Sequence, residues 1–581
     1  MKHFLICSIT LLLSLSMTAK TKTVQLRLIE TTDVHGHFFP YDFIERKPIK
    51  GSLARVSTYV NRLRKTYGKN VILVDNGDIL QGQPTSYYFN YIQTAEPNIA
   101  ASIINYMGYD AQTFGNHDVE PGHDVYDKWI WEVQCPMLGA NIVDTKTRQP
   151  YVQPYTILER EGVKIAILGM LTPAIPYWLN ESIWNGLQFE EMVTSAQYWI
   201  DRLQKEEKPD VIVGLFHSGW NEGIHDPDYS ENACEQIAKT VPGFDVIFFG
   251  HDHMEHNSTE TSPTGQQVVC LDPSCHAVKV ADAQITLTLK GKKVVKKEIT
   301  GQIVNLADED VDEALIRHFQ PELDQVQQYI GRKIGTFDSS IYTRDSYFGS
   351  SAFTDFIHQL QLRIADADIS FNAPLLFDAA IKEGDVFVSD MFKLYRFENL
   401  IYVVKMTGEE IRKHLEMSYN QWVNTMTSPD DHIMLLKSDY YYGNQRFRFK
   451  NFTFNFDSAA GIDYEVDVTQ PAGKMVHILQ MSNGEPFDEK KFYRVAMNSY
   501  RGNGGGELLT QGAGIPKDEL LNHRIVYQSK RDLRYYIIQE IEKMGHVNPQ
   551  ANNNWRFVPV EWAKPALERD RNLIFPYPYN K

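Results

Sequence analysis

The chain is short of cysteine, of positive charge and of long apolar runs. It has five cysteines in 581 residues, and one of them, Cys7, lies in an apolar stretch at the N-terminus. The other four, Cys135, Cys234, Cys270 and Cys275, belong to a protein far too large to depend on a disulfide framework. No CxxC pair occurs, which argues against a structural zinc knuckle. Cys270 and Cys275 are close enough in sequence to bridge, but spacing alone does not decide it. Lys and Arg number 58 against 74 Asp and Glu, a formal net charge of -16. An acidic surface repels a phosphate backbone, so no nucleic-acid polymer is expected as a partner. A small anion can still be held at a local positive centre such as a metal. Beyond the N-terminus no segment approaches 18 uninterrupted apolar residues, so the mature chain is expected to have no membrane span. Internal repeats and low-complexity tracts are absent as well.

The N-terminal exception, MKHFLICSITLLLSLSMTA, has a basic start at Lys2, an apolar core from Phe4 to Leu15 and small residues before Lys20. This is a secretory signal peptide pattern over residues 1–19, with cleavage expected after Ala19. The expected location is therefore secreted, in a periplasm or outside the cell. Cys7 lies inside the signal rather than at the cleavage point, so it does not look like a lipid-attachment cysteine. The alternative is an N-terminal anchor.

What remains is ordinary for a globular protein, 43% hydrophobic and 23% charged, and too long for a single core. From 20 to 305 short apolar runs alternate with amphipathic stretches. VQLRLIE, VILVD, AQTF, VKIAILGM, VIVGLF and FDVIFFG read as strands, while SLARVSTYVNRLRKTYG and VTSAQYWIDRLQKEE read as helices. That alternation predicts a layered α/β domain, closed by a hairpin turning near Lys290 to Lys292. Residues 306–332 are acidic and helix-periodic, and predict a solvated connecting helix that Pro321 can kink. A second domain, 333–560, mixes strands (LIYVVKM, YEVDV, FYRVAMN) with helices (GSSAFTDFIHQLQLRIA, TGEEIRKHLEMSY, KRDLRYYIIQEIEKMG). The Pro- and aromatic-rich segment 561–581 reads as an irregular tail.

Five of the apolar runs in the first domain end in the same way. They lead to Asp33-Val34-His35, Gly77-Asp78, Gly115-Asn116-His117, His217 and His251-Asp252-His253. In an α/β sheet the carboxyl ends of the strands converge where ligands bind. Residues i and i+2 of an extended segment point the same way, so Asp33 with His35, and His251 with His253, can act as pairs. Carboxylates and imidazoles suit zinc, manganese, iron or cobalt. Seven such residues exceed one tetrahedral ion. They suit two divalent ions roughly 3.5 to 4 Å apart with a bridging carboxylate. Each motif alone is a common polar turn; five in one domain point to a metal site. His37, His123 and His256 read as loop residues, Asp252 as pointing away from its flanking pair, and Asp75 and Asn76 as shaping a turn.

The motifs DVHGH, NGD, GNHD, FHSG and GHDH, in that order and spacing, resemble the binuclear calcineurin-like metallophosphoesterases. With NFDSAAGIDYEVDVTQP and MNSYRGNGGGELL, nearly the whole mature chain resembles the secreted 5'-nucleotidase and 2',3'-cyclic-nucleotide 2'-phosphodiesterase/3'-nucleotidase family. The resemblance implies a four-layer α/β/β/α metallophosphoesterase sandwich followed by an α+β nucleotide-binding domain. It implies that Asp33, His35 and His253 hold one metal, that Asn116, His217 and His251 hold the other, and that Asp78 bridges. His117 would face the phosphate and assist the leaving oxygen, oriented by Glu120, where many relatives have aspartate. Asp118 is given no chemistry. Tyr500 would be one half of a clamp around the base, and Phe456, or Phe454 close behind it, the other half.

The implied reaction is attack on phosphorus by metal-activated hydroxide, with no covalent phospho-enzyme. The phosphate-binding arginine common in 5'-nucleotidases is missing at Asn372-Ala373-Pro374. Ser346 to Phe348, Ala373-Pro374, YEVDVTQP and SYRGNGGG look similar to the cyclic-phosphodiesterase branch. The favoured substrates are therefore 2',3'-cyclic nucleotides and 3'-nucleotides. A 5'-nucleotidase or UDP-sugar hydrolase is the nearest alternative, and a non-catalytic secreted nucleotide-binding protein is another. The protein is expected to be a monomer with a nucleotide as its small-molecule partner.

Overall fold

The computed structural model describes residues 21–441 and 444–577. Segment 1–19, expected from the sequence to be a signal peptide, lies outside them. In the first domain two six-stranded sheets pack face to face. The first runs Lys293–Asn305, Lys279–Lys290, Thr21–Thr31, Val71–Asp75, Ala111–Thr113, Met137–Leu138. The second runs His256–Thr261, Gln267–Asp272, Val246–Phe249, Val211–His217, Val163–Leu171, Tyr155–Arg160. Every sequence-predicted strand is present, as is the closing hairpin, in which Lys290 pairs with Lys293.

The period of two along each strand builds the layers. Ile72 and Val74 join Leu26 and Leu28 between the sheets, where they meet Ile165, Ile167, Val213 and Leu215. Leu73 points the other way, onto the helices Leu53–Tyr67 and Ile99–Met107. Ala166 and Leu168 likewise face Met192 and Ala196 of the helix Met192–Arg202. Buried on both faces, these strands read as continuous apolar runs. The result is the four-layer α/β/β/α sandwich.

The segment after the hairpin differs from the expected solvated helix. It forms two helices, Glu313–His318 and Gln320–Ile330, with Pro321 in the first turn of the second. A proline there lacks only an N–H that would be unpaired anyway, so it starts a helix more readily than it kinks one. Leu315, Phe319, Leu323, Val326 and Ile330 are buried against the first domain.

The second domain is built on a mixed sheet in the order Ser458–Ala460, Ile369–Asn372, Phe492–Asn498, Leu400–Thr407, Ile525–Asp532. Val404 and Met406 face the core under the helix Gly408–Trp422, while Ile401 and Val403 face the helices Ala352–Ala365 and Leu533–Met544. The C-terminal segment is not irregular. Val560–Ile574 is a helix that carries Pro565 internally, because Ala563, Ala566 and Ile574 bury themselves on the second domain and packing outweighs the lost hydrogen bond. All four described cysteines are free. No helix among the described residues is long and apolar enough to cross a membrane.

The domains meet on two sides of a cleft. On one side the Tyr87 hydroxyl donates to Asp532 Oδ2 at 2.9 Å, and the ring covers the Arg534 guanidinium. On the other, Asn503 Nδ2 donates to the Trp178 carbonyl at 3.1 Å, and Lys517 Nζ donates to the Tyr177 carbonyl at 3.1 Å.

Candidate metal centre and the cavity above it

The parallel strands of both sheets end at one place. Thr21–Thr31, Val71–Asp75 and Ala111–Thr113 deliver Asp33, His35, Asp78 and Asn116 from one sheet; Val211–His217 and Val246–Phe249 deliver His217, His251 and His253 from the other. All seven sequence-predicted ligands come together. Asp33, His35, Asp78 and His253 offer ligand atoms within 4.8 Å of one another. Beside them, His217 Nε2 lies 3.3 Å from Asp78 Oδ2 and 3.2 Å from Asn116 Oδ1. His251 Nδ1 lies 2.8 Å from the same Asn116 oxygen. Asp78 belongs to both groups.

The backbone is held in an uncommon conformation to do this. Asp33, His35, Asp78, His251 and His253 all have positive φ, between 48° and 80°. Non-glycine residues rarely adopt that region, and clusters of them mark functional sites. The segments are therefore not extended, and His251 and His253 do not act as a pair. The left-handed turns send His253 Nε2 to Asp33 Oδ1 at 3.2 Å and His251 Nδ1 to Asn116. Glycine fits where the loops crowd: a Cβ on Gly115 would run into the Asp78 carboxylate.

The donor set fits metal ions. Three imidazoles are anchored by their outer nitrogens and turn the inner ones to the cluster. His217 Nδ1 is 2.7 Å from the Asn76 carbonyl, His35 Nδ1 is 3.3 Å from the Gln81 carbonyl, and His251 Nε2 is 2.9 Å from Glu231 Oε1. Such outer partners fix the tautomer of ligating histidines. Asp33 is fully buried and its Oδ1 receives no hydrogen bond. His35 Nε2 and His253 Nε2 face each other at 3.0 Å, an arrangement of acceptors that a shared cation satisfies. Burial drives the His35 imidazole down to about 3 against the pull of Asp78, so it is neutral as a ligand must be. Burial would raise the Asp78 carboxyl, but the neighbouring imidazoles, His217 foremost, hold it well below its usual range.

His117 stands at the rim. Its backbone N–H donates to Asp78 Oδ1 at 2.8 Å, and its Nδ1 lies 2.7 Å from Glu120 Oε2. Burial lowers its pKa, but Asp78 and the Glu120 bond outweigh burial and raise it to about 9. Asp118, which the sequence left without a role, is a brace. Fully buried, it accepts from the backbone N–H groups of Asp78, Ile79, Leu80 and Gly115. Its place three residues after Gly115, at the start of a helix, is a capping signal that a sequence can carry. Glu231 was also missed, and nothing in its loop sequence marks it.

Above the centre lies a cavity of about 640 Å³ shared by the domains. Asn116, His117 and His251 form its floor; Tyr500, Asn503 and Lys530 are on the second-domain wall. The segment Asn372 to Pro374 does not line it. The base-clamp expectation needs correction at Phe456. That ring is fully buried, stacked on Trp422 at 5.2 Å and packed edge-on against Phe449, so no face is open to a base. Thr453–Asn455 is a 3₁₀ turn, which sends Phe454 and Phe456 apart. Phe454 is 36% exposed and meets the edge of Tyr500 at 6.2 Å. Buried Arg501 holds this turn, bonding the Phe454 carbonyl, Asn455 and Asp457.

The class of protein that this sandwich and site define is matched directly: residues 26–255 fit the calcineurin-like phosphoesterase family. Residues 333–511 fit the 5'-nucleotidase C-terminal domain. The chain belongs to the metallophosphoesterases that carry this second domain, and it is a metal-dependent phosphoester hydrolase. It is 27% identical to the trifunctional nucleotide phosphoesterase protein YfkN of Bacillus subtilis over 94% of this chain, and spans 40% of that protein's length. It is 27% identical to the 2',3'-cyclic-nucleotide 2'-phosphodiesterase/3'-nucleotidase of Haemophilus influenzae, over 96% of this chain and 92% of that one. Its fold matches a 5'-nucleotidase precursor of Thermus thermophilus with a TM-score of 0.62 at 19% identity, covering 92% of this chain and 99% of that one.

Proposed function

We propose that the protein hydrolyses nucleotide phosphate esters, with 2',3'-cyclic nucleotides and 3'-nucleotides as its main substrates. The observation that carries this reading is one cavity lined both by Asn116 and His251 of the first-domain ligand cluster and by Tyr500 of the second domain. Similarity to a 2',3'-cyclic-nucleotide 2'-phosphodiesterase/3'-nucleotidase along nearly its whole length supports the choice of ester. Asp33, His35, His253 and the shared Asp78 would hold one divalent ion, and Asn116, His217, His251 and Asp78 a second. Bound there, the ions would neutralise phosphoryl oxygens and lower the pKa of water; zinc, manganese, iron and cobalt all suit these donors. His117, its Nδ1 engaged by Glu120, presents Nε2 to the cavity as the proton donor for the departing sugar oxygen. Tyr500 in the cavity lining, with partly exposed Phe454 stacked on Phe452 beside it, offers an aromatic surface for the base. The seven-residue ligand set argues against a binding protein without activity. The signal pattern supports action in a periplasm or outside the cell.

The test is phosphate and nucleoside release by mature protein supplied with manganese or zinc, with 2',3'-cyclic AMP, 3'-AMP, 5'-AMP and a UDP-sugar in parallel. Turnover of the first two, with 3'-AMP as an intermediate, is expected. Preference for 5'-AMP or the UDP-sugar would overturn the substrate assignment and leave the metal site standing. Solvent oxygen-18 should enter the phosphate in a single turnover.

A further inference from the structure

The cavity lining combines three kinds of group: imidazoles and an amide from the first domain, the rings of Tyr500 and Trp178, and the cations Lys530 and Arg531. The acids that share the lining are mostly engaged. Glu120 is bonded to His117, Glu398 to Arg534, and Asp532 accepts from the Tyr87 hydroxyl and the Tyr535 N–H. Asp124 is exposed at the mouth. Arg531 is also committed, donating to the Tyr91 carbonyl at 3.0 Å and lying over the Tyr535 ring. Lys530 has no hydrogen bond, ion pair or ring contact among the described residues. It lies two residues before the end of the strand Ile525–Asp532, is exposed, and places an unpaired ammonium on the wall of a cavity in a protein of net charge -16.

With the scissile ester on the floor and the base on the aromatic side, the remaining substituent of the ribose is the 5' position. We propose that Lys530 is a specificity-determining contact for a second phosphate on the substrate, remote from the one hydrolysed. The inference rests on the nucleotide reading above. A lysine acts here as a flexible point charge, suited to a phosphate whose position varies. The same chemistry is presented by a terminal 5'-phosphate and by the phosphodiester of a short oligonucleotide end.

The experiment uses the metal-loaded full-length enzyme and the variants Lys530→Ala, Lys530→Glu and Lys530→Arg. Two ratios of kcat/KM are measured: adenosine 3',5'-bisphosphate over 3'-AMP, and a dinucleotide ending in a 2',3'-cyclic phosphate over 2',3'-cyclic AMP. For a solvent-accessible ion pair, at least one ratio should fall about threefold to fivefold in the alanine variant and further in the glutamate variant. The fall should lie in KM, shrink in high salt and be restored by arginine. A fall in the first ratio alone identifies a terminal phosphate, and in the second alone a diester. Ratios unchanged in all three variants, with mononucleotides still hydrolysed, would overturn the role of Lys530. Loss of mononucleotide turnover in the unmodified enzyme would instead fault the reading beneath it.

Discussion

In the ligand cluster under the cavity Asp33, His35, Asp78 and His217 are buried, and five of the seven backbones lie at positive φ. On the second-domain side Tyr500 lines the cavity half-buried, and exposed Phe454, in the 3₁₀ turn Thr453–Asn455, meets its ring from outside that lining. The floor tolerates strain because outer partners over-determine it: the Asn76 carbonyl, Glu231 and Asp118 each lock one loop. The wall depends on which of two similar phenylalanines faces out. Polar atoms buried without solvent require a stated partner, whereas an aromatic ring is satisfied in a core or against a base.

Breaking the floor should have the largest effect. Asp78→Asn removes the carboxylate common to both halves of the ligand cluster. It should lower kcat/KM on the order of 10³-fold or more and reduce bound metal, read by elemental analysis of the purified variant. Next is the rim of the same region. His117→Ala should keep its metal and lose about 10² to 10⁴ in kcat. Glu120→Gln should lose only about tenfold to a hundredfold, because it orients the imidazole rather than acting itself. Metal loss in His117→Ala would show that it is a ligand after all.

The wall is tested by two substitutions with opposite signatures. Phe456→Ala should destabilise the fold by about 3 to 5 kcal/mol with KM unchanged, seen in denaturant midpoints. Phe454→Ala should leave stability intact and raise KM by about five- to a hundredfold, the scale of one base stacked on one ring. A raised KM in the first variant and none in the second would reverse the correction at Phe456.

The smallest effect is at the seam between the regions. Burial lowers the Lys517 ammonium to about 8. Between about 8 and its ordinary 10.5 the unfolded chain binds a proton that the folded protein has released. Stability contributed by this group therefore rises with pH across that window, by no more than about 2 kcal/mol once solvent screening is allowed for. Thermal melting from pH 7.5 to 10.5 should show this slope in the native protein and a flatter one in Lys517→Met.

The floor was more legible than the wall for a physical reason. Ile72, Leu73 and Val74 are apolar on both faces because helices cover one side of the sheet and a second sheet the other, so the strands stand out as runs. A histidine or aspartate directly behind such a run stands out against it. Glu231 carries no comparable contrast, since an acid in a polar loop is ordinary until its partner is known, and the capping position of Asp118 marks a helix start rather than a brace for Asp78. The tail misread as irregular shows the converse: Pro565 argues against a helix locally, and only burial of Ala563, Ala566 and Ile574 overrules it.

By itself the sequence determined the sandwich strands and the seven residues that converge at their ends; the pairing of His117 with Glu120 came only from the resemblance to a family. The strands and the seven residues follow from short-range patterns: continuous apolar runs, and polar residues at a fixed offset from a strand end. Tertiary structure alone decided that His251 and His253 part company, that Phe454 rather than Phe456 faces out, that Asp118 and Glu231 brace the centre, and that Lys530 reaches the same cavity. Each of these depends on backbone turns or on contacts between residues distant in the chain, and neither leaves a mark on local composition.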